Sequence, residues 1–138
     1  MAEKGTLLYG DASKGGKGGD AAKASEFISK IFEAVIAIHK VHLMTTGPGS
    51  FAAHEALNVY DDLDGAADGL AESWMGCTGL GLTFAGVDGK NFTAEVKKIY
   101  DYIEANRMMM GEESHIQNEV DSICTLLASA LFKLNRLS

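Results

Sequence analysis

The amino-acid sequence predicts an all-α protein, a bundle of four helices with a long crossover between the second helix and the third. Apolar residues recur three and four residues apart in four separate segments, which is the spacing of one face of an α-helix. The links between these segments are short, long and short in turn, which is typical of a bundle with one crossover connection. With 138 residues, 46% of them hydrophobic, the chain is long enough for one domain with its own core.

Residues 1–23 are predicted to form a flexible tail ahead of a domain that spans residues 24–138. Six of the first twenty residues are glycine and the charges of the tail nearly cancel, so this part of the chain has too little apolar surface to build a core. Its large apolar residues are concentrated at Leu7, Leu8 and Tyr9. These three are the part of the tail that is suited to docking.

The first two helices are placed by the residues at their ends. The first is predicted for residues 24–44, with Ser25 as its cap. It stops before the Thr-Thr-Gly-Pro-Gly sequence of residues 45–49, because the residue before a proline avoids the helical conformation. The second helix is predicted for residues 51–76, with Ser50 as its cap.

Residues 76–91 are predicted to be the crossover, since five glycines in this segment disfavour a long helix. The third helix is predicted for residues 93–110 and ends at Gly111. The fourth is predicted for residues 112–137. Both carry an apolar face at helical spacing, as the helices of a bundle require.

The stretch from His39 to Glu72 contains an unusual set of polar residues. It holds three of the four histidines, and no Lys or Arg lies between Val41 and Gly89. Six acidic residues lie in the stretch: Glu55, Asp61, Asp62, Asp64, Asp68 and Glu72. Crowded carboxylates repel one another, so either bulk water on a solvated helix face or a bound cation must compensate their charge.

The spacing of the polar residues favours a cation. Steps of four and three residues place a polar set in one stripe along a helix: His54, Asn58, Asp61, Gly65, Asp68 and Glu72. In the preceding helix, the apolar residues recur at helical spacing and His42 occupies the next position of the pattern. Imidazole and carboxylate groups together are ligands that first-row metals bind.

These residues resemble the signature of the Dps-type mini-ferritins, which combines paired histidines, a Gly-Pro turn, a phenylalanine, a His-Glu pair and a helix ending in D-x-x-A-E. The matching residues are His39, His42, Gly47, Pro48, Phe51, His54, Glu55, Asp68 and Glu72. The resemblance covers about forty residues well, and elsewhere it extends only to the order and length of the helices.

The resemblance implies a ferritin-like four-helix bundle that forms a homo-oligomer, a dimer at minimum and a dodecameric shell in the family. Such proteins bind Fe(II), oxidise it with peroxide or oxygen, and store the ferric mineral. The implied metal ligands are His42 and His54 of one subunit with Asp68 and Glu72 of its two-fold mate. They would hold one or two iron ions at the dimer interface.

Three differences from the family pattern leave a second function open. Leu43 stands where the family usually has tryptophan, and Asn58 stands where an aspartate ligand is expected. The segment from His54 to Asp68 is one residue shorter than in the family, which rotates the residues beyond it by about 100° around the helix. The alternative function is a non-catalytic ferritin-like oligomer, a structural protein that docks through its N-terminal tail.

Composition argues against several other classes of protein. No apolar run approaches the roughly 18 residues of a membrane span, and the start of the chain does not resemble a signal peptide. A net charge of -7 opposes nucleic acid, so DNA binding is expected to be weak or absent. Cys77 and Cys124 are far apart in sequence, which suits two free thiols in a reducing cytoplasm.

Overall fold

The computed structural model describes residues 20–87 and 89–136, and nearly all of the regular structure in this part of the chain is helical. Its elements are the α-helices α1 (Ala21–Met44), α2 (Phe51–Ala56), α3 (Val59–Thr78), α4 (Phe92–Asn106) and α5 (Ser114–Arg136), with 3₁₀ turns at Gly89–Asn91 and Arg107–Met110. No strand occurs among these described residues, so the predicted all-α class is confirmed. Residues 1–19, most of the predicted tail, lie outside the described residues.

The first helix begins three residues earlier than residue 24, because Asp20 and not Ser25 caps it. The Asp20 carboxylate accepts hydrogen bonds from the backbone N–H groups of Ala22, at 2.8 Å, and Lys23, at 3.4 Å. Ser25 is buried within the first turns, where its hydroxyl donates to the carbonyl oxygen of Ala21. An aspartate at the N-cap satisfies backbone donors that have no partner inside the helix.

The predicted second helix is two helices in the structure. α2 ends at Ala56, and the α2–α3 junction, Leu57 and Asn58, separates it from α3. Several amides here bond to carbonyl oxygens three residues earlier: Leu57 to His54, Asn58 to Glu55, Tyr60 to Leu57 and Asp61 to Asn58. These are 3₁₀-type bonds, so the chain is wound more tightly at the junction than in an α-helix.

The described residues form two compact units, one that ends at Ala85 and one that begins at Gly86, each with its own packing. In the first unit α1 packs on α3 in an antiparallel arrangement, since the start of α1 lies beside Trp74 and its end lies beside Tyr60. Ile28 is 3% exposed and Ala67 only 1% exposed, so the helices approach closely where α3 carries small side chains.

The chain after α3 returns along α1. Gly79 ends α3 with a positive φ of 74°, and its N–H donates to the carbonyl oxygen of Met75. Further on, the N–H of Thr83 donates to the Ser25 hydroxyl at 3.1 Å, and the ring of Phe84 lies 6.3 Å from that of Phe32. The buried Ser25 hydroxyl therefore donates one hydrogen bond and accepts another.

The second unit is a hairpin of α4 and α5, with Val96, Val120 and Cys124 buried between them. α4 ends at Asn106 and not at residue 110, because residues 107–110 form a 3₁₀ turn that Gly111 ends at a φ of 93°. No helix in the described ranges is both long enough and apolar enough to span a membrane.

Candidate functional site

His42 lies in the last turn of α1 and is 7% exposed, the most deeply buried of the predicted metal ligands. Its Nδ1 atom lies 2.9 Å from the backbone carbonyl oxygen of His54. A carbonyl oxygen only accepts hydrogen bonds, so Nδ1 carries the proton and donates. A neutral ring with its proton on Nδ1 has its lone pair on Nε2, which is the arrangement found in histidines that bind metals.

His54 lies on α2 beside His42. The two ring centroids are 3.7 Å apart, with an angle of 30° between the ring planes. The Gly-Pro turn produces this contact by reversing the chain between the helices: Gly47 and Gly49 adopt φ values of 101° and 83°. The structure thus places two predicted ligands, twelve residues apart in sequence, side by side.

Two further aromatic residues, neither of them among the predicted ligands, complete this group. The ring of His39 stacks on that of Tyr60 at 3.8 Å with an interplanar angle of 8°, and Tyr60 lies 5.4 Å from His42. His39 is detectable in the sequence, because it lies one helical turn before His42. Tyr60 is not detectable, because its position depends on the α2–α3 junction. We call His39, His42, His54 and Tyr60 the histidine cluster.

Asp68 and Glu72 lie on α3, one helical turn apart, and both are exposed. They are eight and twelve residues beyond Tyr60, which corresponds to about 12 and 18 Å along an α-helix. Neither forms an ion pair with another described residue. The structure therefore brings the two predicted histidines together and leaves the two predicted carboxylates on a separate surface of the same chain.

A single chain does not assemble a complete metal site from the described residues. Within them, no three His, Cys, Asp or Glu side chains lie close enough to hold one ion. Each half is nevertheless chemically suited to a first-row metal: the cluster presents imidazole nitrogen and α3 presents carboxylate oxygen. The carboxylates carry negative charge that no lysine or arginine between Val41 and Gly89 can neutralise.

Comparison with known protein families gives a match. The model of a family of unknown function, DUF5856, matches residues 42–134, which is about two thirds of the chain. The match begins at His42 and includes the other three predicted ligands. No curated protein and no solved structure shows significant similarity to the chain. The chain therefore belongs to DUF5856, a family whose function is unknown.

Proposed function

We propose that this protein binds Fe(II) and oxidises it in the manner of a Dps-type mini-ferritin, at sites that two copies of the chain share. His42 and His54 of one copy would bind the ion together with Asp68 and Glu72 of the other. The observation that carries the proposal is the hydrogen bond from Nδ1 of His42 to the His54 carbonyl oxygen. This hydrogen bond leaves Nε2 of His42 available to bind a metal ion, and the imidazole of His54 lies beside it.

Two copies are required because the two halves are separated along α3. The carboxylates lie about 12 to 18 Å of helix beyond the histidine cluster, and no side chain spans that distance. A two-fold axis that pairs the α3 helices in antiparallel orientation would place each histidine pair beside the other copy's Asp68 and Glu72. Such an interface is isologous and forms two identical sites at once. The proposal includes the ferritin-like bundle, for which α1, α3, α4 and α5 would be the four long helices.

The winding of the α2–α3 junction bears on the segment from His54 to Asp68, which is one residue short. A 3₁₀ turn advances about 120° per residue and an α-helix about 100°. Leu57 and Asn58, the two junction residues, would therefore add about 40° together. This offsets part of the roughly 100° that one missing residue removes.

The ligand types suit both oxidation states of iron. Imidazole nitrogen holds Fe(II), and carboxylate oxygen, a harder ligand, favours Fe(III). Two Fe(II) ions supply two electrons, which with two protons reduce one molecule of peroxide to two of water. The negative charge of α3, unpaired among the described residues, attracts the incoming cation and favours the higher charge of the product.

We place the protein in the cytoplasm, since both cysteines are free thiols.

Fe(II) oxidation by peroxide, followed as ferric absorbance, tests the activity. The wild type is expected to exceed buffer, whereas His42→Ala and Glu72→Ala are each expected to fall to the buffer rate. Asp62→Ala is the matched control, because Asp62 is an exposed acid on the same helix about 120° around from Asp68. Loss of activity in Asp62→Ala as well would indicate a general effect of charge and contradict the specific ligand set.

A mixing experiment tests the sharing of the site. In a mixed dimer of the His42→Ala and Glu72→Ala chains, one site has lost both kinds of ligand and the other is intact. After the two variants are unfolded and refolded together, about half of the dimers are mixed, so about a quarter of the wild-type activity should return. Recovery of no activity, although light scattering shows dimers, would contradict a shared site.

The second candidate function is a non-catalytic oligomer. It is favoured by the large apolar side chains that remain exposed near the histidine cluster, including Leu43 at 65%, Met44 at 76% and Phe51 at 76%. Exposed large apolar side chains favour a protein interface where they form a contiguous patch. Wild-type oxidation equal to buffer, in a protein that still forms oligomers, would establish this function in place of the first.

A further inference from the structure

An apolar groove of about 380 Å³ lies between the first turns of α1 and the last turns of α3, at the opposite end of α1 from the histidine cluster. Ile28 is buried at its base, while Phe27 is 63% exposed and Leu70 is 44% exposed along its sides. Trp74 lies beside them and is half-buried. Large apolar side chains grouped around a concave surface are suited to receive other apolar side chains.

The chain itself supplies an occupant at this place. Asp20, the first described residue, is part of the rim of the groove. Residues 1–19 precede it directly, and their large apolar residues are grouped at Leu7, Leu8 and Tyr9. We propose that Leu7, Leu8 and Tyr9 bind in this groove of their own chain.

The connection has a suitable length. Tyr9 is eleven residues from Asp20, and five of the residues between them are glycine. A glycine-rich segment of this length has a root-mean-square span of about 16 to 20 Å. The groove extends from Asp20 to Phe27, about 10 Å of helix, so it lies within reach. A glycine-rich connection of this length also gives the docking residues an effective concentration on the order of millimolar.

The side chains of the two partners are chemically matched. Two leucines and a tyrosine would cover Phe27, Leu70 and Trp74, and aromatic rings such as those of Tyr9 and Trp74 pack favourably against one another. Docking of this kind removes apolar surface from water on both sides. The segment before Asp20 would thereby become part of the packing of the first unit.

Docking leaves the proposed iron ligands uncovered. Leu70 is two residues from both Asp68 and Glu72 in sequence, which places it about 160° around α3 from each of them. The groove and the carboxylate pair thus lie on opposite faces of the helix. The inference is independent of the proposed function, and each is tested by a different measurement.

Trp74 is the only tryptophan of the chain, so its fluorescence reports on the groove. The test compares the full chain with the variant Leu7→Ser/Leu8→Ser/Tyr9→Ser, using the emission maximum and quenching by acrylamide. The variant is expected to show a red-shifted emission and stronger quenching, because Trp74 becomes more exposed to water. The matched control is Lys14→Ser/Lys17→Ser, which changes the same segment outside the docking residues and should behave as the wild type.

A synthetic peptide of residues 1–19 tests the same docking with the segment and the groove on separate molecules. Added to the triple-serine protein at concentrations on the order of millimolar, it is expected to restore the wild-type emission. It should have no effect on triple-serine protein that also carries Leu70→Glu, provided that circular dichroism shows unchanged helix content.

Three results would overturn the proposal. The first is an equal emission maximum and equal quenching in wild type and triple-serine variant. The second is a failure of the peptide to restore the emission. The third is a wild-type emission that shifts to the red on dilution, which would assign the groove to a segment of a second copy.

Discussion

The segment α2–α3 and the hairpin α4–α5 use their charged residues in opposite ways. In the hairpin, four acids are paired with neighbouring bases: Lys97 with Asp101, Lys98 with Glu95, and Arg107 with both Glu104 and Asp121. In α2 and α3, by contrast, every acidic residue is exposed and none forms an ion pair with a described residue. The pairs of Arg107 hold the turn between α4 and α5, whereas the charge of α2 and α3 is available for a ligand.

Arg107 is the centre of the paired arrangement. Its guanidinium donates to the carboxylates of Asp121 and Glu104 and to the side-chain oxygen of Gln117. The hydrogen bond to Asp121 is the main reason that the pKa of Arg107 is raised above its ordinary value. Gln117 in turn donates to the carbonyl oxygens of Arg107, at 3.0 Å, and Gly111, at 2.7 Å. This network joins the end of α4 to the first turns of α5.

The largest expected effect concerns the unpaired region. If α3 and the histidine cluster bind Fe(II), the ion should stabilise the folded protein, by about 2.7 kcal/mol when its concentration is one hundred times the dissociation constant. Thermal unfolding without oxygen, with and without Fe(II), measures this effect. We expect an increase for the wild type and none for His42→Ala. An equal increase in both proteins would show that the ion binds elsewhere.

A smaller effect is expected in the paired region. Gln117→Ala removes three hydrogen bonds at the turn between α4 and α5. We expect a loss of about 1.5 to 4.5 kcal/mol in the free energy of unfolding, since each such bond contributes roughly 0.5 to 1.5 kcal/mol and Arg107 keeps its acidic partners. Urea denaturation measures the loss, and the neighbouring exposed variant Asn118→Ala is the control.

Fe(II) oxidation should be the same in both variants. A reduced oxidation rate in Gln117→Ala alone would contradict the division of roles between the two regions.

The smallest effect is a dependence of stability on pH. Burial raises the pKa of the Cys124 thiol above its ordinary value of 9.0, with a further contribution from Glu104. The folded protein therefore holds this proton more tightly than the unfolded chain does. The stabilisation is fully present below pH 9 and is lost as the pH rises through the folded pKa.

Urea denaturation between about pH 7 and about pH 11, roughly two units on either side of the ordinary thiol pKa of 9.0, tests this dependence. Cys124→Ala should show a smaller decline in stability than the wild type over this range. Cys77→Ala, which changes the exposed cysteine of α3, should decline as the wild type does. An identical decline in all three proteins would mean that Cys124 does not contribute.

The sequence determined those features that depend on residues near one another. Apolar spacing predicted the all-α class and the approximate positions of the long helices, and a glycine-rich connection was predicted where α3 ends and α4 begins. The Gly-Pro turn between two histidines twelve residues apart was also visible, and the structure places His42 beside His54. These features follow from backbone preferences and helical periodicity, which act over a few residues.

Other features were decided by contacts between residues distant in sequence. Ser25 resembles a helix cap, yet it is buried, and Thr83, 58 residues later, donates to its hydroxyl. The stacking of His39 on Tyr60 depends on the winding of the α2–α3 junction. The distance between these two residues in sequence does not predict their contact. The sequence alone does not predict the partners of Arg107. These partners are Gln117 and Asp121, which α5 places beside it. Local propensity sets where helices form, whereas the burial of polar groups is settled only when distant segments supply their partners.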